Sequence, residues 1–170
     1  MKKRVLFVIA QNVFRDEELL EPKKILEKRG VEIKIASKTR ARAVGKMGTE
    51  INPDLAIAET KANDFDAVIF VGGSGAVSYF NDDEALQLAR DFRIKKKMTA
   101  AICIAVSILA NAGILIGKRV TGFPSEEDNL KNKGAEYTGM QVEIDGLVAT
   151  AKDPSAAREF GEKIAYFLEA

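Results

Sequence analysis

The chain has 170 residues, of which 46% are hydrophobic and 30% charged, and its formal net charge is +1. This composition is typical of one folded domain, 1–170, and excludes a disordered chain. The small net charge gives no indication of nucleic acid as a partner, and no apolar run approaches the roughly 20 residues of a membrane span. A single cysteine cannot form an internal disulfide, which is typical of a reducing compartment, so we expect a cytoplasmic protein.

Apolar runs and helical patterns alternate along the first half of the chain. In chain order they predict a buried strand over 5–10, a helix over 17–29, a strand over 31–36, a hairpin within 41–51 and a buried strand over 66–71. Asp16 is expected to cap the first helix and Gly30 to end it.

The second half continues the alternation. It predicts a loop over 72–75, a helix over 83–95, a strand over 98–103, a helix over 104–112, a short strand over 119–121, a helix from 125, a hairpin of 142–144 with 147–151 and a last helix to 168. Strands that alternate with helices predict an α/β fold with a mostly parallel sheet covered on both faces. Ligands of such sheets bind beyond the carboxyl ends of the strands, where the loops after residues 10, 71 and 103 should meet.

Cys103 stands where the predicted strand gives way to a helix, between Ala101 and Ala105. Small residues on both sides of a nucleophile are typical of a strained strand-to-helix elbow, in which the two backbones approach closely. The first turn of a helix favours a thiolate, through its free N–H groups and dipole. The alternative is a buried structural cysteine. The chain contains no histidine, so another group would have to activate the thiol.

Two further segments reach the same expected cleft. The backbone N–H groups of Gly73 and Ile104 can form a two-donor oxyanion hole, although Gly72 and Gly73 are equally typical of a tight turn. Glu17 and Glu18 lie in the first turn of a predicted helix, where the helix dipole alone explains carboxylates. A proline four residues after Glu18 removes the N–H that its carbonyl would accept, and a kink there can turn Glu18 inward.

Taken together, these segments resemble the ThiJ/PfpI superfamily, which has a class I glutamine amidotransferase-like fold. Within it, the chain is more similar to the branch of the Parkinson-disease-associated protein and its bacterial chaperone-like relatives. The matching segments run in order over nearly the whole chain: 5–8, 18–22, 64–69, Gly72-Gly73, 100–103, 120–124 and the last helix.

The resemblance implies a flavodoxin-like three-layer sandwich, with Cys103 as nucleophile and a protonated Glu18 touching its sulfur. A neutral carboxylic acid can donate a hydrogen bond to a thiolate, which would lower the pKa of the cysteine. It also implies oxyanion donors at Gly73 and Ile104, beside Gly72. No metal or cofactor is implied. The expected partners are small reactive aldehydes or their adducts and further copies of the chain, in a homodimer or larger assembly, with no nucleic acid and no membrane.

The chain departs from the family pattern at two positions. Peptidase-like members carry histidine directly after the cysteine, where this chain has Ile104, and other members carry one where it has Phe123. We therefore discount a cysteine peptidase. The leading hypothesis is a cofactor-free, cysteine-dependent glyoxalase or deglycase, of hydrolase or lyase type, acting on methylglyoxal, glyoxal or their adducts. In it, Cys103 attacks the aldehyde and Glu18 moves the proton between carbons.

Two alternatives remain open. Exposed thiolates oxidise readily, so the Cys103 and Glu18 pair also suits an oxidative-stress sensor or a redox-gated chaperone. The second alternative is an inactive relative in which Ile104 blocks the site.

Overall fold

A seven-stranded sheet runs through the centre of the computed structural model, which describes residues 1–169. The strands are β1 (Arg4–Val8), β2 (Asn12–Phe14), β3 (Glu32–Ser37), β4 (Ala43–Gly45), β5 (Glu50–Ile51), β6 (Leu55–Ala56), β7 (Ala67–Phe70), β8 (Met98–Ile102), β9 (Arg119–Val120), β10 (Glu136–Tyr137), β11 (Val142–Asp145) and β12 (Val148–Ala151). The helices are α1 (Asp16–Lys28), α2 (Asp83–Ile94), α3 (Val106–Asn111), α4 (Glu127–Asn132) and α5 (Ala157–Phe167).

The order of the strands places a crevice at the centre of the sheet. The order is β11-β12-β8-β7-β1-β3-β6, and every neighbouring pair is parallel except β11 with β12. From β1 the chain first adds strands on one side, β3 and β6, and then turns to the other side with β7. Such a reversal of direction opens a crevice at the carboxyl ends of β1 and β7. The predicted mostly parallel α/β fold is confirmed.

Helices cover both faces of the sheet because its strands are apolar on both. All side chains of β7 and β8 are buried, as in the runs expected of parallel strands. Helix α1 packs against α5, and α2 packs against α3. None of the helices within residues 1–169 has the length and apolar character needed to cross a membrane.

Asp16 does not cap the first helix, contrary to the prediction. It is the first residue within α1, it is buried, and its carboxylate accepts the backbone N–H groups of Met47 at 2.8 Å and Thr49 at 3.0 Å. Burial alone would raise the pKa of Asp16, but the hydrogen bonds from Thr49 and Met47 hold it below its ordinary value. A Cβ on Gly45 would lie 2.6 Å from Asp16 Oδ2, so this glycine must lack a side chain. The turn between β4 and β5 is therefore fastened to the start of α1.

The predicted hairpins are confirmed as the antiparallel pairs β4 with β5 and β11 with β12. Strand β2 was not predicted, and it pairs in parallel with β4 in a small sheet outside the central one. Within β2, Val13 has a φ of +57°, which is rare for a β-branched residue. This strained residue belongs to the loop that follows β1, at the edge where the crevice opens.

Candidate active site around Cys103

Cys103 forms a sharp turn between β8 and α3. Its φ of +62° is one that residues other than glycine seldom adopt, and such backbone strain is found most often at functional sites. The residue opens a short 3₁₀ turn over Cys103–Ala105 that continues into α3. Ala101 and Ala105 are fully buried, so larger side chains would not fit where the two backbones approach. This local geometry is that of the nucleophile elbow described above.

Gly72 leaves the space in which Glu18 and Cys103 approach each other. A Cβ on this glycine would lie 2.5 Å from Glu18 Oε1 and 2.8 Å from Cys103 Cβ. Since non-bonded atoms do not approach so closely, only glycine allows the carboxyl and the thiol to converge here. The structure thus brings together three residues that the sequence assigned to one cleft: Glu18 from α1, Gly72 after β7 and Cys103 after β8.

Gly73 fits tightly against the loop that follows β1. Its φ is +99°, and a Cβ there would lie 2.4 Å from the backbone nitrogen of Arg15 and 2.6 Å from the carbonyl oxygen of Val13. The Arg15 N–H donates to the Gly72 carbonyl at 2.9 Å, which fastens the two loops together. Glycine is required at this position for both its backbone angle and the lack of space.

Burial dominates the electrostatics of Glu18. The side chain is completely inaccessible to solvent. Among residues 1–169, neither of its carboxyl oxygens has a hydrogen-bond partner of good geometry. Burial raises the pKa of Glu18 to about 7, and the nearby Cys103 thiol and Gly72 N–H offset this increase only in part. Glu18 therefore keeps its proton to much higher pH than an exposed glutamate.

The pKa of Cys103 is also raised, to about 12. Burial is the main cause and an ionised Glu18 the second, while the backbone N–H groups of Ile104 and Gly73 lower it by less. The expectation that Glu18 would lower this pKa is wrong in direction, because Glu18 is ionised before the thiol loses its proton, and both its charge and its hydrogen bond with the thiol raise the pKa of Cys103. Carboxyl and thiol titrate as a pair, and at neutral pH the pair carries at most one negative charge.

A cavity of about 420 Å³ lies over Cys103. Its apolar wall includes Val13, Val77, Ile104 and Phe123. Ile104 lines the cavity rather than filling it, so Cys103, a residue that is 7% exposed, faces this space. Glu18 does not line the cavity, because it lies behind Gly72 and Cys103.

Three charged residues of the cavity wall were not expected from the sequence: Arg15, Lys46 and Glu126. Arg15 is paired with Glu17, through Nε at 2.9 Å and Nη2 at 2.8 Å from Oε2. Glu17, expected in the cleft, thus faces Arg15 instead, and this hydrogen bond lowers its pKa. Lys46 lies on the turn that Asp16 fastens to α1. None of these residues is near Cys103 in the sequence, so no local pattern could have indicated them.

Comparison with known proteins gives consistent matches over nearly the whole chain. A family model described as the DJ-1/PfpI family matches residues 3–166. The protein named deglycase PH1704 from Pyrococcus horikoshii is 33% identical over 89% of this chain and 91% of its own length.

Two solved structures give equally extensive matches. The ThiJ/PfpI domain protein from Brachyspira murdochii matches with a TM-score of 0.97 and 34% identity, over 99% of this chain and 98% of that one. Drosophila melanogaster DJ-1beta matches with a TM-score of 0.90 and 29% identity, over 99% of this chain and 91% of that one. These matches confirm the expected flavodoxin-like fold.

Proposed function

Because this chain belongs to the DJ-1/PfpI family, on its DJ-1-like branch, we propose that it is a cofactor-free, cysteine-dependent enzyme of the glyoxalase or deglycase type. Its substrates would be methylglyoxal, glyoxal or their adducts. Several archaeal relatives carry the name deglycase, which supports this class of activity. The observation that carries the proposal is the convergence of Glu18, Gly72 and Cys103 beneath an accessible cavity.

The first step is addition of the thiol to the aldehyde. The sulfur of Cys103 forms a bond to the aldehyde carbon, the π electron pair of the carbonyl moves to its oxygen, and the thiol proton passes to the carboxylate of Glu18. A general base works best when its pKa is near the working pH, and the pKa of Glu18 is about 7. The backbone N–H groups of Gly73 and Ile104 would stabilise the oxygen, since they already surround the sulfur.

A high thiol pKa makes proton loss from the sulfur costly, but it does not exclude this step. The thiolate need not accumulate if the proton leaves the sulfur as the carbon–sulfur bond forms, with the carboxylate as the acceptor. The pair then loses no net proton to the solvent, and the buried site holds a single negative charge throughout. The absence of histidine from the sequence excludes a Cys–His dyad, so this role falls to Glu18.

The test is the turnover of methylglyoxal to lactate by Cys103→Ser and Glu18→Gln. Both should lose at least about a hundredfold in kcat, the usual contribution of a nucleophile or of acid–base catalysis. Glu21→Gln, on the exposed side of the same helix, is the matched control and should keep wild-type turnover. Activity retained in Cys103→Ser would contradict the mechanism.

A second candidate function is the sensing of oxidants through Cys103. The cavity admits small oxidants to the sulfur, and the N–H groups of Gly73 and Ile104 with a protonated Glu18 would stabilise an oxidised sulfur. Mass spectrometry after mild peroxide treatment should then find two added oxygen atoms on Cys103. An unmodified chain under conditions that oxidise a free thiol would count against this candidate.

A further inference from the structure

Among residues 1–169, one acidic side chain lines the cavity over Cys103, and it is not Glu18. Glu18 is completely buried behind Gly72, whereas Glu126 is a member of the cavity wall together with Cys103. A substrate attached to the sulfur would occupy this cavity, whose wall includes Glu126. Glyoxalase chemistry needs a base that reaches a substrate carbon, and such a group must be within contact of the proton it removes.

The segment that carries Glu126 is tied to the backbone of the elbow. The N–H of Phe123 donates to the carbonyl oxygen of Cys103 at 3.3 Å, and the N–H of Glu126 donates to the carbonyl oxygen of Phe123 at 2.8 Å. Glu126 therefore keeps its place relative to the sulfur through two consecutive backbone hydrogen bonds.

Two hydroxyl groups fix the carboxylate of Glu126. Ser107 Oγ donates to Oε1 at 2.7 Å, and Ser125 Oγ donates to Oε2 at 2.7 Å. Ser107 is completely buried, and its oxygen also accepts Asn129 Nδ2 at 3.0 Å. Because a serine has a single hydroxyl hydrogen, the bond from Asn129 leaves that hydrogen for Glu126. Each oxygen of the Glu126 carboxyl group thus accepts a hydrogen bond.

The hydrogen-bond network continues behind Ser107, where the side-chain amide of Asn129 donates both to Ser107 and to Asn111. Asn129 Nδ2 also donates to Asn111 Oδ1 at 3.1 Å, and Asn111 Nδ2 donates to the carbonyl oxygen of Phe80 at 2.9 Å. Such a network fixes a side chain more firmly than a single contact, since each member restrains the next. A carboxyl group that is held in one orientation in the wall of the cavity over Cys103 is suited to proton transfer.

We propose that Glu126 is the catalytic base that moves the carbon-bound proton of the substrate, an inference that rests on the proposed function. Glu18 would accept only the thiol proton of Cys103. In the hemithioacetal formed on Cys103, Glu126 takes the proton from the carbon bonded to sulfur. The released electron pair forms a carbon–carbon double bond, and the adjacent carbonyl becomes an enolate.

The remaining steps need neither an oxidant nor a reductant. Glu126 returns its proton to the neighbouring carbon, and the hydroxyl proton of the first carbon passes to the enolate oxygen. The product is a thioester of a 2-hydroxy acid. Water then breaks its carbon–sulfur bond, which releases the 2-hydroxy acid and regenerates the Cys103 thiol.

The test compares Glu126→Gln with Glu127→Gln in two assays on the whole protein. Glu127 is the adjacent residue in the sequence and pairs with Lys131 at the surface, so it is a matched control. The first assay is methylglyoxal turnover, and the second is the alkylation rate of Cys103 by iodoacetamide, which reports an intact thiol site. We expect Glu126→Gln to lose at least about a hundredfold in kcat while its alkylation rate stays within about twofold. Glu127→Gln should match the wild type in both, and Glu126→Asp should recover part of the turnover.

Each other result has a distinct meaning. Wild-type turnover in Glu126→Gln would overturn the inference and leave the proposed function intact. Loss of alkylation together with turnover would also overturn it, because the role of Glu126 would then be structural. If the wild-type protein itself fails to convert methylglyoxal, the proposed function fails, and the assignment of Glu126 fails with it.

Discussion

Replacing Glu18 with Gln should make the protein relatively more stable as the pH rises. The perturbation removes a carboxyl that is completely buried and has no hydrogen-bond partner of good geometry within residues 1–169. Glutamine has nearly the same shape but cannot ionise. The comparison of Glu18→Gln with the wild type therefore isolates the free energy of placing a charge in this site.

The magnitude follows from the pKa of Glu18, which burial raises from 4.5 to about 7. A carboxyl with a raised pKa binds its proton more tightly in the folded state, so its contribution to stability is fully present below about pH 4.5. That contribution is lost as the pH rises to about 7, and at about 1.4 kcal/mol per pH unit the loss is about 3 kcal/mol. Glu18→Gln should not show this loss.

The assay is urea unfolding of both proteins at about pH 4.5 and pH 8. The difference in free energy of unfolding between Glu18→Gln and the wild type should shift by about 3 kcal/mol in favour of the variant at the higher pH. Contributions of groups that do not interact with Glu18 cancel in this difference. A difference independent of pH would refute the argument that the carboxyl is desolvated.

The adjacent residue supplies a control of opposite sign. Glu17 is bonded to Arg15, and this hydrogen bond lowers the pKa of Glu17. Its contribution to stability is present above the ordinary pKa of a glutamate and is lost as the pH falls. Glu17→Gln should therefore lose stability relative to the wild type at pH 8 and regain it in acid, the reverse of Glu18→Gln.

Two further predictions concern the walls of the site. Gly72→Ala would place a Cβ 2.5 Å from Glu18 Oε1 and 2.8 Å from Cys103 Cβ, so urea unfolding should show a loss of about 1–3 kcal/mol; unchanged stability would contradict the close contact. Lys46→Met should reduce the alkylation rate of Cys103 by anionic iodoacetate about two- to fivefold relative to neutral iodoacetamide, because Lys46 lines the cavity. Lys95→Met, at the opposite end of β8, should leave that ratio unchanged, and an equal effect of both substitutions would exclude a local role for Lys46.

Local sequence patterns indicated the central sheet and the elbow well. The strands β7 and β8 are continuous apolar runs, and the small residues around Cys103 have a clear steric reason. The parallel alternation of strands and helices was then enough to place the loops after β1, β7 and β8 at one edge. The convergence of Glu18 with Cys103 follows from this topology together with Gly72.

Features that depend on contacts between distant segments could not be predicted. Asp16 has the sequence signature of a helix cap, but its partners are the N–H groups of Met47 and Thr49, more than 30 residues away. Lys46 and Glu126 reach the cavity only because their turns are fastened to other elements. The direction of the Cys103 pKa was also missed, because burial is a property of the packed protein and not of the residue type.

The recessed position of Cys103 limits how copies of this protein can become covalently linked. The two sulfur atoms of a disulfide are about 2.05 Å apart, so both must reach the same point. Cys103 is only 7% exposed, it lies in a cavity whose wall includes Val13, Val77 and Phe123, and the chain has no second cysteine. We therefore expect that two folded chains do not bring their sulfurs to this distance. Oxidants should therefore modify Cys103 in each molecule separately. A non-reducing gel of the oxidised protein should show no disulfide-linked dimers.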